Sequence, residues 1–157
     1  MKSAIAVEDL IEAILPLLDG VRGPGSSDNY EAKGCGIAYV VEGNRDWLAL
    51  AAHGWPAVGI LGTEHFAKAR EESFEHIRAA GIGALVITPD NDEPGRDAAR
   101  AWARVLSRDG FVVGIRMLPS RVNSRAVKDL FDLFHATGEA FEGWLHEMPI
   151  DWREQWG

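Results

Sequence analysis

Asp90 and Asp92 stand two residues apart, directly after the apolar run Ala84-Leu85-Val86-Ile87 and the pair Thr88-Pro89, and Gly95 follows them. An apolar run of that length reads as a strand buried in a parallel sheet, and ligands in open α/β sheets sit just beyond the carboxyl ends of such strands. Two carboxylates placed there suit a hard divalent cation, Mg²⁺ or Mn²⁺, which takes oxygen ligands and needs few of them from the protein. A purely structural reading of Asp92 competes. It precedes Glu93-Pro94, and an Asp before a helix with proline in its first turn is a good N-cap. Glu42 tips the balance, because it ends another apolar run, immediately before Gly43 and a helical segment containing Asp46. Three carboxylates crowded at neighbouring strand ends repel one another and raise their own pKa values unless a cation neutralises them.

The elements that must hold these acids alternate along the chain. Apolar spacing predicts an amphipathic helix over 7–18, and a turn-rich loop of Gly, Pro, Ser, Asp and Asn over 22–29. Strands are expected at 37–41, 57–61, 84–88 and 111–117, with helices at 45–53, 64–80 and 94–108 and helical residues again after Arg125. Strands separated by helices imply right-handed crossovers and a parallel sheet covered on both faces. The expectation is an α/β fold with an open, mainly parallel four-stranded sheet. In a flavodoxin-like strand order the first and third strands are neighbours, which brings Glu42 beside Asp90 and Asp92.

Composition bounds the rest. A chain of 157 residues with 46% hydrophobic residues builds one compact core. Residues 1–35 are read as a helix and loop leading into a single domain over 36–157. No apolar stretch is long enough to span a bilayer, and 1–9 lack a secretory signal pattern, so the expected setting is the cytoplasm, without membrane contact. Cys35 is the only cysteine, which leaves no internal disulfide and no Cys-rich zinc site. His146-Glu147 opens like a metalloprotease signature, yet no second histidine follows at helical spacing.

The net charge of −8 opposes nonspecific adhesion to nucleic acid. It conceals an asymmetry. Between Arg96 and Lys128 eight basic residues (Arg96, Arg100, Arg104, Arg108, Arg116, Arg121, Arg125, Lys128) face two acids, Asp97 and Asp109, so the segment carries +6 and the remainder −14. One face meeting a polyanion fits this polarity, and so does a solvated helix surface, since four of the arginines recur every fourth residue.

The ordered motifs resemble a known family. Glu42-Gly43-Asn44-Arg45-Asp46 resembles the Glu-Gly-x-x-Asp start of the Toprim domain, and Asp90-Asn91-Asp92-Glu93-Pro94-Gly95 resembles its Asp-x-Asp-x-x-Gly motif. Between them, Gly59-Ile60-Leu61-Gly62-Thr63 looks like the second Toprim strand and its Gly-Thr turn. Leu118-Pro119 and Lys128-Asp129-Leu130-Phe131-Asp132-Leu133 resemble the Lys-Asp-x-Asn-Asp segment of phage and plasmid primases, with Phe131 where Asn usually stands. The match runs from about Ile37 to Gly138.

The resemblance implies a Toprim-like fold and Mg²⁺-dependent phosphodiester chemistry, as in primases, topoisomerases and some nucleases. By that analogy Glu42 is the general acid or base and a metal ligand, Asp90 and Asp92 hold the metal, and Asp46, Asp129 and Asp132 are supporting or second-metal acids. Arg96, Arg121, Arg125 and Lys128 are candidates to neutralise nucleotide or template phosphates. The segment from Asp19 to Cys35 resembles the lead-in to the zinc-binding module of phage-type primases, but passes straight into the first strand, so no zinc is expected. The leading expectation is primase-like RNA primer synthesis on a single-stranded DNA template, with a replication partner protein. A Toprim nuclease keeps the same acids with water as nucleophile, and a non-catalytic module binding nucleic acid or protein is the third reading. A phosphoryl-accepting receiver domain also has acids at the first and third strand ends and a later lysine. Asp92 and Gly95 after the acceptor, and the loop position of Lys128, speak against it.

Overall fold

The computed structural model describes residues 36–157. The helix expected at 7–18, the loop at 22–29 and the lead-in from Asp19 to Cys35 lie outside the described residues. Strand β1 (Ile37–Glu42) is followed by helix α1 (Gly43–Ala51) and strand β2 (Ala57–Ile60). A single 3-10 turn, helix α2 (Phe66–Glu71) and helix α3 (Ser73–Ala79) lead to β3 (Ala84–Thr88), helix α4 (Glu93–Arg108) and β4 (Val112–Ile115). The remainder holds a small hairpin, β5 (Arg121–Val122) and β6 (Arg125–Ala126), helices α5 (Leu130–Thr137) and α6 (Phe141–Glu147), and β7 (Asp151–Arg153).

The sheet order is β2-β1-β3-β4-β7. The first four strands are parallel, and β7 closes the β4 edge in antiparallel pairing. The four expected strands are therefore present, and β7 adds a fifth. Both faces of β1 and β3 are buried because alternate side chains enter different layers. Tyr39, Val41 and Val86 pack with Trp47, Leu50, Phe131 and Phe134 of α1 and α5. Val40, Leu85 and Ile87 pack with Ile77 of α3 and Trp102 and Leu106 of α4.

The single helix expected at 64–80 is broken at Glu72, whose backbone stays right-handed but is distorted from helical values (φ −111°, ψ −67°). Helix α2 buries no residue, whereas α3 buries Phe74 and Ile77. The break lets α3 turn its apolar side inward while α2 follows the surface, where Arg70 donates to both carboxylate oxygens of Asp109 at 2.6 and 2.7 Å.

Two features fix the C-terminal segment against the sheet. Gly114 of β4 lies under Ile150 and Trp152, and a Cβ there would stand 2.5 Å from Ile150 and 2.8 Å from the Trp152 ring. Arg116, just after β4, is buried; it donates to the Tyr39 hydroxyl (3.0 Å) and to the carbonyls of Leu145 (2.8 Å) and Met148 (3.4 Å). A cation at the carbonyl end of α6 is also where the helix dipole favours it. Arg116 thus leaves the basic face that charge counting assigned to it.

Candidate metal centre at the carboxyl edge of the sheet

Parallel pairing of β1 with β3, in register from Ile37↔Ala84 to Val41↔Thr88, places Glu42 and Asp90 side by side where the two strands end. The Asp90 amide donates to Glu42 Oε1 at 3.2 Å. Asp92 is the N-cap of α4; its Oδ1 accepts from the Gly95 amide at 2.7 Å. A Cβ on Gly95 would lie 2.4 Å from the Asp90 carbonyl oxygen, 2.9 Å from Asp92 Oδ1 and 3.0 Å from Glu42 Oε1. Only glycine lets the helix start close against both acids. The capping reading and the strand-end reading of Asp92 hold together, because its second oxygen faces away from the cap to Lys128 Nζ at 3.6 Å.

The third wall comes from the segment before α5. Asn91, between the two acids, donates from Nδ2 to the carbonyls of Leu118 (3.1 Å) and Val127 (3.3 Å), and its amide donates to the Lys128 carbonyl. These bonds bring Lys128 and Asp129 to the end of β3. Asp129 is the N-cap of α5 and accepts from the Asp132 amide at 2.8 Å, while Asp132 Oδ2 accepts from the Lys128 amide at 2.9 Å. Asp46, on α1, is 1% exposed. Its Oδ1 accepts from the Phe131 amide at 3.1 Å, and its buried Oδ2 has no hydrogen-bond partner.

The acids sense one another through this geometry. Burial, then the charges of Glu42, Asp129 and Asp92, push Asp90 up to about 7, against a smaller opposing effect of Lys128. Burial, with Asp129 and Asp90 adding repulsion, holds Asp46 well above the usual carboxylate range. Asp129 is raised too, by burial first, while its hydrogen bond from Asp132 and the cations Arg45 and Lys128 oppose the rise. Asp90 is the hub; Asp132 stands at the outer side, acting on Asp129.

Of the basic candidates, Lys128 reaches the acids directly. Arg96, one turn into α4, donates to Asn91 Oδ1 at 3.4 Å. Arg121 and Arg125 sit on the β5–β6 hairpin, where Arg121 donates to the Ser124 carbonyl at 2.7 Å. Two contributors were not singled out from sequence. Asn91 is the clamp described above, legible only as the residue between two acids. Arg45 lies with its guanidinium 4.3 Å from the Phe131 ring centre and acts on Asp129, so the Phe131 side chain gives a site cation its platform.

Among the described residues no three acidic, histidine or cysteine side chains converge as a ready-made metal cage. The donor set nonetheless fits a hard cation. All donors are carboxylates, their mutual repulsion calls for positive charge, and one buried oxygen of Asp46 is unsatisfied. Mg²⁺ is commonly held by one or two carboxylates, with water and phosphate oxygens completing its shell, so a closed cage is not required.

A family model described as Toprim-like matches residues 39–133. Among solved structures, the chain is similar to a DNA primase domain from Pseudomonas aeruginosa, with 26% identity and a TM-score of 0.50 over 74% of this chain and 34% of that one. The chain thus spans about a third of the solved chain it matches. No curated protein sequence gives a significant match.

Proposed function

The chain belongs to the Toprim-like family, whose setting is DNA metabolism, and from that premise we propose that it performs Mg²⁺-dependent, primase-like nucleotidyl transfer, extending ribonucleotides on a single-stranded DNA template with a replication partner protein. The observation that carries this reading is the placement of Glu42 against the Asp90 amide, with Asp92, Asp129 and Asp46 gathered round Asp90.

Asp90 and Asp92 would hold the ion, with Glu42 at its side and Asp129 and Asp132 able to support a second. When bound, Mg²⁺ neutralises phosphate oxygens and lowers the pKa of an attacking hydroxyl. Glu42, ending its strand at the rim, is the group placed to take the hydroxyl proton in extension and return one in the reverse direction. Lys128 is placed to pair with a phosphate of the incoming nucleotide when substrate enters. Gly95 keeps the start of α4 close, so that its first amides and Asp92 stay fixed while substrate binds. Asp46 keeps the start of α5, and with it Asp129, in place through the Phe131 amide.

The test uses the full chain with ribonucleotides, a single-stranded DNA template and Mg²⁺ or Mn²⁺, with labelled strands followed on gels. Extension that disappears in Glu42→Gln and Asp90→Asn is the expected result. Metal-dependent cleavage, lost in the same variants, would replace the primase reading with the nuclease. Absence of both activities and of divalent-metal binding would leave a non-catalytic module.

A further inference from the structure

Beyond the acidic centre, α4 and β7 enclose a cleft of about 130 Å³. Arg96 and Arg100 line one side from successive turns of α4, and Arg153 lines the other from β7. Antiparallel pairing sets Arg153 opposite Val113 and Asp151 opposite Ile115. Directly opposed residues project to the same face of a sheet, and Val113 and Ile115 belong to the core layer under α4, so both β7 side chains face the helix. The Arg153 guanidinium lies 4.3 Å from the Trp156 ring centre, and Trp156 is itself anchored by donating to the Val113 carbonyl at 2.8 Å. One wall of the cleft is therefore an arginine stacked on a fixed ring.

We infer that this cleft is an anion subsite that takes a phosphate group of a nucleotide chain next to the acidic centre. Its volume is below the roughly 300–1,000 Å³ of pockets that enclose whole small molecules, which suits a single group. Three guanidiniums converge on it against one lining carboxylate, Asp151, which engages Arg153 at 3.0 Å. Arg100 pairs among the described residues with an exposed partner, Asp97, at 3.3 Å. Planar guanidiniums hold phosphate by paired hydrogen bonds, and Ile115 and Trp156 complete the lining. Arg96 links the cleft to the acids through Asn91. β7 and Trp156 lie beyond the segment 39–133 that matches the family, so this wall belongs to the chain's own C-terminal segment. The inference deepens the nucleotidyl-transfer reading by giving a strand, or the triphosphate of a nucleotide, a holding point beside the acids.

The experiment measures binding of a fluorescein-labelled dT oligonucleotide to the full chain by anisotropy in EDTA, so that metal chemistry is silent. Charge-neutralising substitutions Arg100→Gln and Arg153→Gln together are expected to weaken binding about tenfold. They should also make the slope of log affinity against log salt shallower by about 0.7 for each phosphate that is no longer neutralised. Arg108→Gln, matched in charge to Arg100→Gln alone and lying on an exposed arginine of the same helix outside the cleft, is expected to change affinity by less than about twofold, where Arg100→Gln alone weakens it by more. Because Arg153 also covers Trp156, Asp151→Asn supplies the opposite sign: it releases Arg153 and is expected to tighten binding. Competition by inorganic triphosphate or ATP that is lost in the double variant identifies the nucleotide tail as the source of the phosphate, and oligonucleotide binding unaffected by either identifies the strand backbone. Equal weakening by Arg108→Gln, or an unchanged affinity in the double variant, would overturn the subsite. Binding that behaves as expected in an Asp90→Asn protein without activity keeps the subsite while the catalytic reading is judged separately.

Discussion

Asp46 offers a test that separates a crowded site acid from a side chain that only accepts a structural hydrogen bond. Its Oδ1 accepts from the buried Phe131 amide at 3.1 Å, and its buried Oδ2 is unpaired. Asp46→Ala leaves that amide without an acceptor and is expected to cost about 1–3 kcal/mol. Asp46→Asn keeps an acceptor for Phe131, puts an amide donor where Oδ2 stands and removes the charge repelled by Asp129 and Asp90. Each unit by which burial and the neighbouring acids raise the folded pKa costs about 1.4 kcal/mol once the group is ionised, a cost the asparagine does not carry, so metal-free Asp46→Asn is expected to be more stable than the parent by roughly that amount or more. The pH dependence follows from the raised pKa. Above the unfolded value of 3.8 the unfolded chain releases its proton while the folded chain keeps it, so native stability falls as pH rises towards the folded pKa. The asparagine carries no such loss, and its advantage is expected to be larger at pH 8 than at pH 5. Urea unfolding in EDTA measures this, with a midpoint about 0.5–1 M higher for the variant at pH 8, given slopes of about 1–3 kcal/mol/M. If Asp46→Asn is no more stable than the parent at either pH value while Asp46→Ala is destabilised, the side chain is only an acceptor for the start of α5 and the crowding of acids around it is not felt.

Further outcomes follow from the same geometry. Millimolar Mg²⁺ is expected to raise the thermal midpoint of the parent chain by several degrees, since binding to the folded state alone adds about 2.7 kcal/mol at a hundredfold excess over Kd; a scanning-fluorimetry series should show the rise vanish in Asp90→Asn. Gly114→Ala drives a Cβ into Ile150 and Trp152 and is expected to cost about 1–3 kcal/mol, read by urea unfolding, with weaker oligonucleotide binding because β7 is displaced. Arg116→Met leaves the Leu145 and Met148 carbonyls without their buried donor; a loss of about 2–4 kcal/mol is expected, and amide exchange should show the opening confined first to α6 and β7.

Sequence carried the sheet because its signals were local. The apolar runs ending at Glu42 and at Thr88 are strands whichever neighbours they find, and parallel crossovers then force their ends together. The fifth strand is different. Asp151–Arg153 is three exposed residues, and it pairs only because Gly114 leaves room for Trp152, a tertiary fact. The β5–β6 hairpin turns through Asn123 and Ser124, both left-handed (φ 50° and 66°), and its two-residue strands are too short for a periodic signal. The same division holds at the site. Strand ends exposed Glu42, Asp90 and Asp92 to view, whereas the clamp by Asn91 and the seat of Arg45 on Phe131 depend on segments about 30–90 residues apart meeting in space. Charge counting treated Arg116 as surface because composition cannot register a guanidinium spent on the Tyr39 hydroxyl and two buried carbonyls.

The central claim is that the acids at the ends of β1 and β3 bind the divalent ion used in phosphodiester chemistry. A crystal structure of the full chain soaked in Mn²⁺, with the ion located by its anomalous signal, tests it most directly. The predicted result is a peak at ligating distance from Asp90 and from Glu42 or Asp92, displaced from the Lys128 ammonium. A manganese peak elsewhere, or saturated crystals with Glu42, Asp90 and Asp92 bare of metal, would contradict it.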